Sequence, residues 1–168
     1  MTKTKIRIRR PDDFHVHLRQ GDMLGHVVGA TAMTFGRALV MPNTTPPIRT
    51  GADAMAYKAS ILDAQRTTIG SDWSFEPLMT IKLLSSTTPE IVREAHAAGV
   101  VAAKLYPAGV TTNSDDGIHV ANLGAIAIDR KVLDRVLVSP ALAVDHLLVR
   151  QHRLALGAPV HLALLAIG

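Results

Sequence analysis

The chain has 168 residues, 48% of them apolar and 19% charged, which is one domain's length with enough apolar surface to bury a core. It contains no cysteine, which excludes disulfides and thiolate zinc sites and leaves eight histidines, fourteen acids or some less usual group to hold any metal. The net charge of +4 is scattered and no aromatic stacking platform accompanies it, so nucleic acid is not the expected partner, and no charge-free apolar run reaches membrane-spanning length.

In chain order, the polar lead Arg9-Arg10-Pro11-Asp12-Asp13 replaces the apolar core of a signal peptide, so the expected compartment is the cytoplasm. A strand is predicted over about Asp13 to Leu18, then a helix over Met23 to Thr34 with Asp22 as its cap, and an apolar strand Arg37 to Met41 closed by Pro42. The segment Asn43 to Gly51 is turn-rich because Pro46 and Pro47 forbid regular structure. Ala52 to Gln65 has amphipathic helical spacing, and Ser74 to Leu84 reads as a third strand. Thr88 and Pro89 then open a helix that Gly99 ends, and Val100 to Tyr106 is a fourth strand.

Strand and helix alternate four times, which predicts parallel strands joined by right-handed crossovers, in either a doubly wound sheet or part of an eightfold barrel. The absence of G-x-G-x-x-G after the first strand weighs against the dinucleotide-binding form of the first. In a barrel the reacting groups sit at the C-terminal ends of strands, and His17, Arg19, Asn43 and Lys104 all fall there.

Two runs carry the chemistry. Phe14-His15-Val16-His17-Leu18-Arg19 sets two imidazoles and a guanidinium at every second residue, which on a strand turns all three the same way: a metal site beside an anion site. The alternative is a pair of histidines satisfied within a core. Ala102-Ala103-Lys104-Leu105-Tyr106-Pro107 places an amine in an apolar strand, where desolvation depresses its pKa and a neutral amine can take up carbon dioxide as a carbamate. The alternative is a lysine that snorkels to water or pairs with an acid. Asp12-Asp13 and Asp115-Asp116 read as solvated turns or caps, Trp73 and the methionines as packing, His26 and His96 as helix surface, and Thr111 to Asn113 as loop residues within possible reach of a substrate.

From about Ile6 to Ile118 the chain resembles the N-terminal part of the dihydroorotases of the shorter bacterial type, in the metal-dependent amidohydrolase superfamily. The residues that carry the resemblance are Arg9 to Arg19, Gly21-Asp22-Met23-Leu24, Val40-Met41-Pro42-Asn43 with Pro46-Pro47, Pro77-Leu78-Met79-Thr80, Ala102 to Ala108, and Thr111-Thr112-Asn113-Ser114. The resemblance implies a (β/α)8 TIM barrel, here a truncated half-barrel of about four to five βα units, with two zinc ions. It further implies reversible interconversion of N-carbamoyl-L-aspartate and L-dihydroorotate in pyrimidine biosynthesis. On it, His15 and His17 bind the more buried zinc, carboxylated Lys104 bridges the pair, and Arg19 and Asn43 hold the substrate carboxylate. It leaves a homodimer open.

The family takes two further histidines and a general-base aspartate from later strands, and that aspartate has no counterpart in this chain. Residues 119–168 lack Glu, Phe, Tyr and Trp and form an Ala/Leu/Val-rich tail, for which a shifted reading frame or an aberrant junction is the expected origin. Helices are predicted there over 129–137 and 141–156; His161 is the nearest candidate ligand, His146 and His152 read as helix surface, and His119 has no assigned role. The second functional reading is a catalytically inactive remnant that binds at most one zinc through His15 and His17. A half-barrel is expected to leave two unpaired parallel edges.

Overall fold

The computed structural model describes residues 5–106, 108–109 and 114–118, and the backbone of 164–166. Pro107, Thr111 to Asn113, His119, His146, His152, His161 and the two helices predicted in the tail lie outside the described residues.

The elements are β1 (Asp12–Val16), α1 (Asp22–Thr34), β2 (Arg37–Val40), α2 (Gly51–Ile69), β3 (Glu76–Leu83), α3 (Pro89–Ala97), β4 (Ala102–Leu105) and β5 (Leu164–Ala166). They form one sheet in the order β1-β2-β3-β4-β5, with the first four strands parallel. The fifth differs from expectation. It runs antiparallel against β4, with Ala102 opposite Ala166 and Lys104 opposite Leu164, so the β4 edge is paired rather than open.

Local chemistry accounts for the element ends. The Thr50 side chain accepts from the Asp53 amide, and the Asp53 carboxylate accepts from the Thr50 amide, a reciprocal cap that starts α2. α2 continues four residues beyond the predicted Gln65, as Thr67 and Thr68 donate back to the Asp63 and Ala64 carbonyls, and it stops at Gly70 with φ 83°. Thr88 caps α3 with Pro89 in its first turn, as predicted. α1 departs from expectation: Gly21 is its N-cap and Asp22 its first residue, with no side-chain capping bond.

Alternation along β2, β3 and β4 separates two faces. Ala38, Val40, Met79, Ile81, Leu83, Ala103 and Leu105 join the main core with Val28 and Ala32 of α1, Ala54, Tyr57 and Ile61 of α2, and Val92 and Ala95 of α3. A Cβ on Gly51 would meet the Ala98 Cβ at 2.9 Å and the Ala95 Cα at 3.0 Å, so the start of α2 needs glycine to pack on α3. The opposite face buries Leu39, Met41 and Ala102 as a small second cluster, and along the same strands Thr80, Lys82 and Lys104. Strand register sets Lys82 beside Lys104. Of the methionines read as packing, Met41 and Met79 are buried, whereas Met23 and Met33 are exposed on α1, where the helix turns outward. Trp73 is 40% exposed and packs instead under the Arg10 guanidinium, 5.6 Å from its ring.

Candidate metal and carboxylate site

The site gathers at the C-terminal ends of β1, β2 and β4. β1 pairs Asp12 with Arg37 and Asp13 with Ala38, then slips so that Val16 meets Val40. Phe14 and His15 thus stand opposite the single residue Leu39, a bulge that re-aims His15 just before the strand ends. The Asp13 carboxylate accepts from the His15 amide at 2.9 Å and fixes this bend.

The His15 and His17 Nε2 atoms lie 3.2 Å apart. The Lys104 Nζ is 3.3 Å from His15 Nε2 and 3.5 Å from His15 Nδ1, and it donates to the Met41 Sδ. Among the described residues no group of three or more His, Cys, Asp or Glu is placed to hold a metal, so the convergent donors are these two imidazoles and the amine. Burial lowers the Lys104 pKa to about 8, which gives a neutral, nucleophilic fraction near neutrality. Burial also lowers both histidines, helped by Lys104 at His15 and by His15, Lys104 and Arg19 at His17. The imidazoles therefore keep free lone pairs, the form in which they ligate metals.

Next to His17 is a cavity of about 150 Å³ lined by His17, Arg19, Gln20, Asn43, Thr44 and Thr45. Asn43 is buried and hydrogen-bonds the His17 side chain. The Gln20 Oε1 accepts from the Thr45 amide at 3.2 Å, which ties the two loops that wall the cavity, and the Thr44 hydroxyl donates to the Pro46 carbonyl at 2.7 Å within the second of them. Arg19 corrects the simple strand picture. β1 has ended, and Arg19 takes the left-handed conformation at φ 64°, a strain of about 1 kcal/mol for a non-glycine residue. It therefore reaches the cavity from a turn and not from a strand.

Structure thus brings together His15, His17 and Lys104 as one nitrogen cluster, and places Arg19 and Asn43 with His17 around the adjoining cavity. Sequence reasoning missed three neighbours. Met41 touches the Lys104 amine. Lys82, 1% exposed, forms an ion pair with Asp116, which lies in an exposed turn as expected but has this buried amine as its partner. The Tyr106 ring lies 5.3 Å from the Lys104 Nζ and 5.4 Å from the Lys82 Nζ, and its buried hydroxyl has no partner among the described residues. Lys82 carried a legible signal, a second charge in an apolar strand at the same inward phase as Thr80. A fourth missed contact is the Tyr57 hydroxyl, which donates to the Arg19 carbonyl.

Four parallel strands, each followed from β1 to β3 by a packed helix, with the polar groups collected at the C-terminal strand ends, define part of a (β/α)8 barrel. No protein-family model matches the chain. Individual relatives do, dihydroorotases among them. The protein from Marinobacter nauticus is 59% identical over 114 residues, covering 68% of this chain and 32% of its own length. That from Neisseria meningitidis is 57% identical over 113 residues, and that from Ralstonia pickettii 54% over 119. Among solved structures, dihydroorotase from Campylobacter jejuni is 38% identical at a TM-score of 0.58, covering 65% of this chain and 30% of that one. The Saccharomyces cerevisiae enzyme, in complex with 5-fluoroorotic acid, is 31% identical at a TM-score of 0.62, covering 74% and 33%. Over its N-terminal two thirds the chain is homologous to the dihydroorotases, and it spans about a third of the length of the curated relatives it matches.

Proposed function

We propose that this chain contributes the first part of a zinc-dependent cyclic amidohydrolase site. Its reaction is the reversible interconversion of N-carbamoyl-L-aspartate and L-dihydroorotate, in cytoplasmic pyrimidine biosynthesis. The observation that carries the reading is the donor spacing. Two nitrogens bound to one tetrahedral zinc lie about 3.3 Å apart, and the two Nε2 atoms stand at 3.2 Å with an amine beside them. His15 and His17 would hold one ion, and Lys104 would bridge to a second once carboxylated. In that step the neutral amine attacks carbon dioxide, an N–C bond forms as one C=O π bond opens, and one proton leaves to solvent, which yields a carbamate whose two oxygens share one negative charge. Zinc, when bound, supplies Lewis acidity toward the substrate carbonyl and toward water.

The remaining work falls to the cavity. Arg19 offers a planar fork to the substrate carboxylate, and Asn43, buried beside it, orients both that group and His17. The homology to dihydroorotases supports the substrate class. No general-base aspartate is assigned among the described residues.

The test is zinc content and hydrolysis of L-dihydroorotate by the purified full chain, with bound zinc measured by mass spectrometry. The wild type is expected to retain zinc, and His15→Ala or His17→Ala to weaken retention at least about tenfold. Retention unaffected by either substitution refutes the site. A carbamate signal after labelling with ¹³C-bicarbonate, lost in Lys104→Met, checks the bridging group.

A further inference from the structure

Arg19 is fixed through its main chain. Among the described residues no carboxylate pairs with its guanidinium, and it is the one non-glycine residue with positive φ. What meets its carbonyl is the Tyr57 hydroxyl, reaching across from α2. We propose that Tyr57 is a positioning residue for substrate binding: its hydroxyl holds the Arg19 peptide in the left-handed turn that aims the guanidinium into the cavity shared with Asn43. The inference rests on the reading of Arg19 as a carboxylate anchor.

Three features suit Tyr57 to that task. Its ring is 5% exposed and packed in the main core with Leu18, Leu24 and Ile48, so the hydroxyl has one fixed location. Its helix is anchored by the Thr50–Asp53 cap, which makes the donor part of a rigid element rather than of a loop. Its pKa is pushed up to about 12 by burial, so the group remains a donor throughout the working range. A buried hydroxyl in an apolar cluster needs a partner, and the Arg19 carbonyl is the one it meets.

The experiment uses the full chain and two ligands, L-dihydroorotate and 5,6-dihydrouracil, the same ring without the carboxylate. Dissociation constants come from calorimetry, and the Arg19 Cα and Cβ chemical shifts from NMR. Tyr57→Phe is expected to weaken dihydroorotate roughly three- to tenfold, to leave dihydrouracil unchanged, and to move the Arg19 shifts away from left-handed values. Arg19→Met is expected to erase the preference for dihydroorotate. If that preference survives Arg19→Met, or the wild type has none, the anchor reading fails and the Arg19 shifts alone decide the positioning. If Arg19→Met erases it while Tyr57→Phe binds as wild type with unmoved shifts, the positioning role fails and the anchor stands. Equal weakening of both ligands by Tyr57→Phe also overturns the proposal. Should Tyr57→Phe not fold, the wild-type Tyr57 hydroxyl proton decides: slow exchange supports the bond, and rapid exchange refutes it.

Discussion

At the N-terminal end of the sheet, Arg10 donates to the carbonyls of Ala32, Phe35 and Ser74, and Arg37 forks onto Asp12 through Nε at 3.1 Å and Nη2 at 2.5 Å. At the C-terminal end, Arg19 faces a cavity, and His15, His17 and Lys104 crowd one another, with no carboxylate bonded to their side chains among the described residues. The same residue type is closed on protein partners at one end and open at the other. In parallel barrels the first end stabilises and the second reacts, because loops at the C-terminal ends converge on a common space while the N-terminal ends can be clamped without obstructing it.

The largest expected effect breaks the clamp. Arg10→Ala removes three bonds to main-chain carbonyls and the stack on Trp73, and should cost about 2–3 kcal/mol in urea denaturation. Arg19→Met, its counterpart at the open end, should change stability by no more than about 0.5 kcal/mol. Equal losses would show that the two ends do not differ in the way the contacts suggest.

Much of this division was legible in the sequence, and the residues show why. His15, His17 and Arg19 lie within five positions of one another, so strand periodicity alone suggested a common direction, even though a bulge and a turn deliver it. Lys104 stood out as a charge in an apolar run. The caps of α3 and the stop at Gly99 are local, and were read correctly. Three of the missed contacts are distant in sequence: Tyr57 with Arg19, Met41 with Lys104, Lys82 with Asp116. Each depends on how strands register and how α2 lies across the sheet, which no local pattern encodes. Asp116 does sit in an exposed turn, and only its pairing with Lys82 escaped the sequence, since nothing local places β3 beside it.

The second prediction sharpens the contrast within the open end itself. Lys82 and Lys104 are register partners, yet Lys82 is closed by Asp116 while Lys104 meets nitrogen and sulfur. Asp116→Ala should cost about 1–2 kcal/mol, below the figure for a fully buried pair because the carboxylate is half exposed. Lys82→Met added to it should restore most of the loss, since an apolar side chain of similar length needs no counter-charge. A double variant no more stable than Asp116→Ala would show that the pair's charge is not what Asp116 supplies.

The smallest effect concerns Asp12 at the clamped end. The Arg37 hydrogen bonds, with help from the charges of Arg37 and Arg9, hold its carboxyl below the ordinary value of 3.8 in the folded chain. A carboxyl that binds its proton less readily when folded adds stability above its unfolded pKa, and that contribution disappears as the pH falls through the folded value. The wild type and Asp12→Asn should therefore differ most in urea midpoint near pH 5, and the gap should close as the pH approaches 2. Added salt should narrow it at every pH, because the Arg37 side chain is partly open to solvent. A gap that stays constant down to the lowest pH would mean that Asp12 acts through packing and not through its charge.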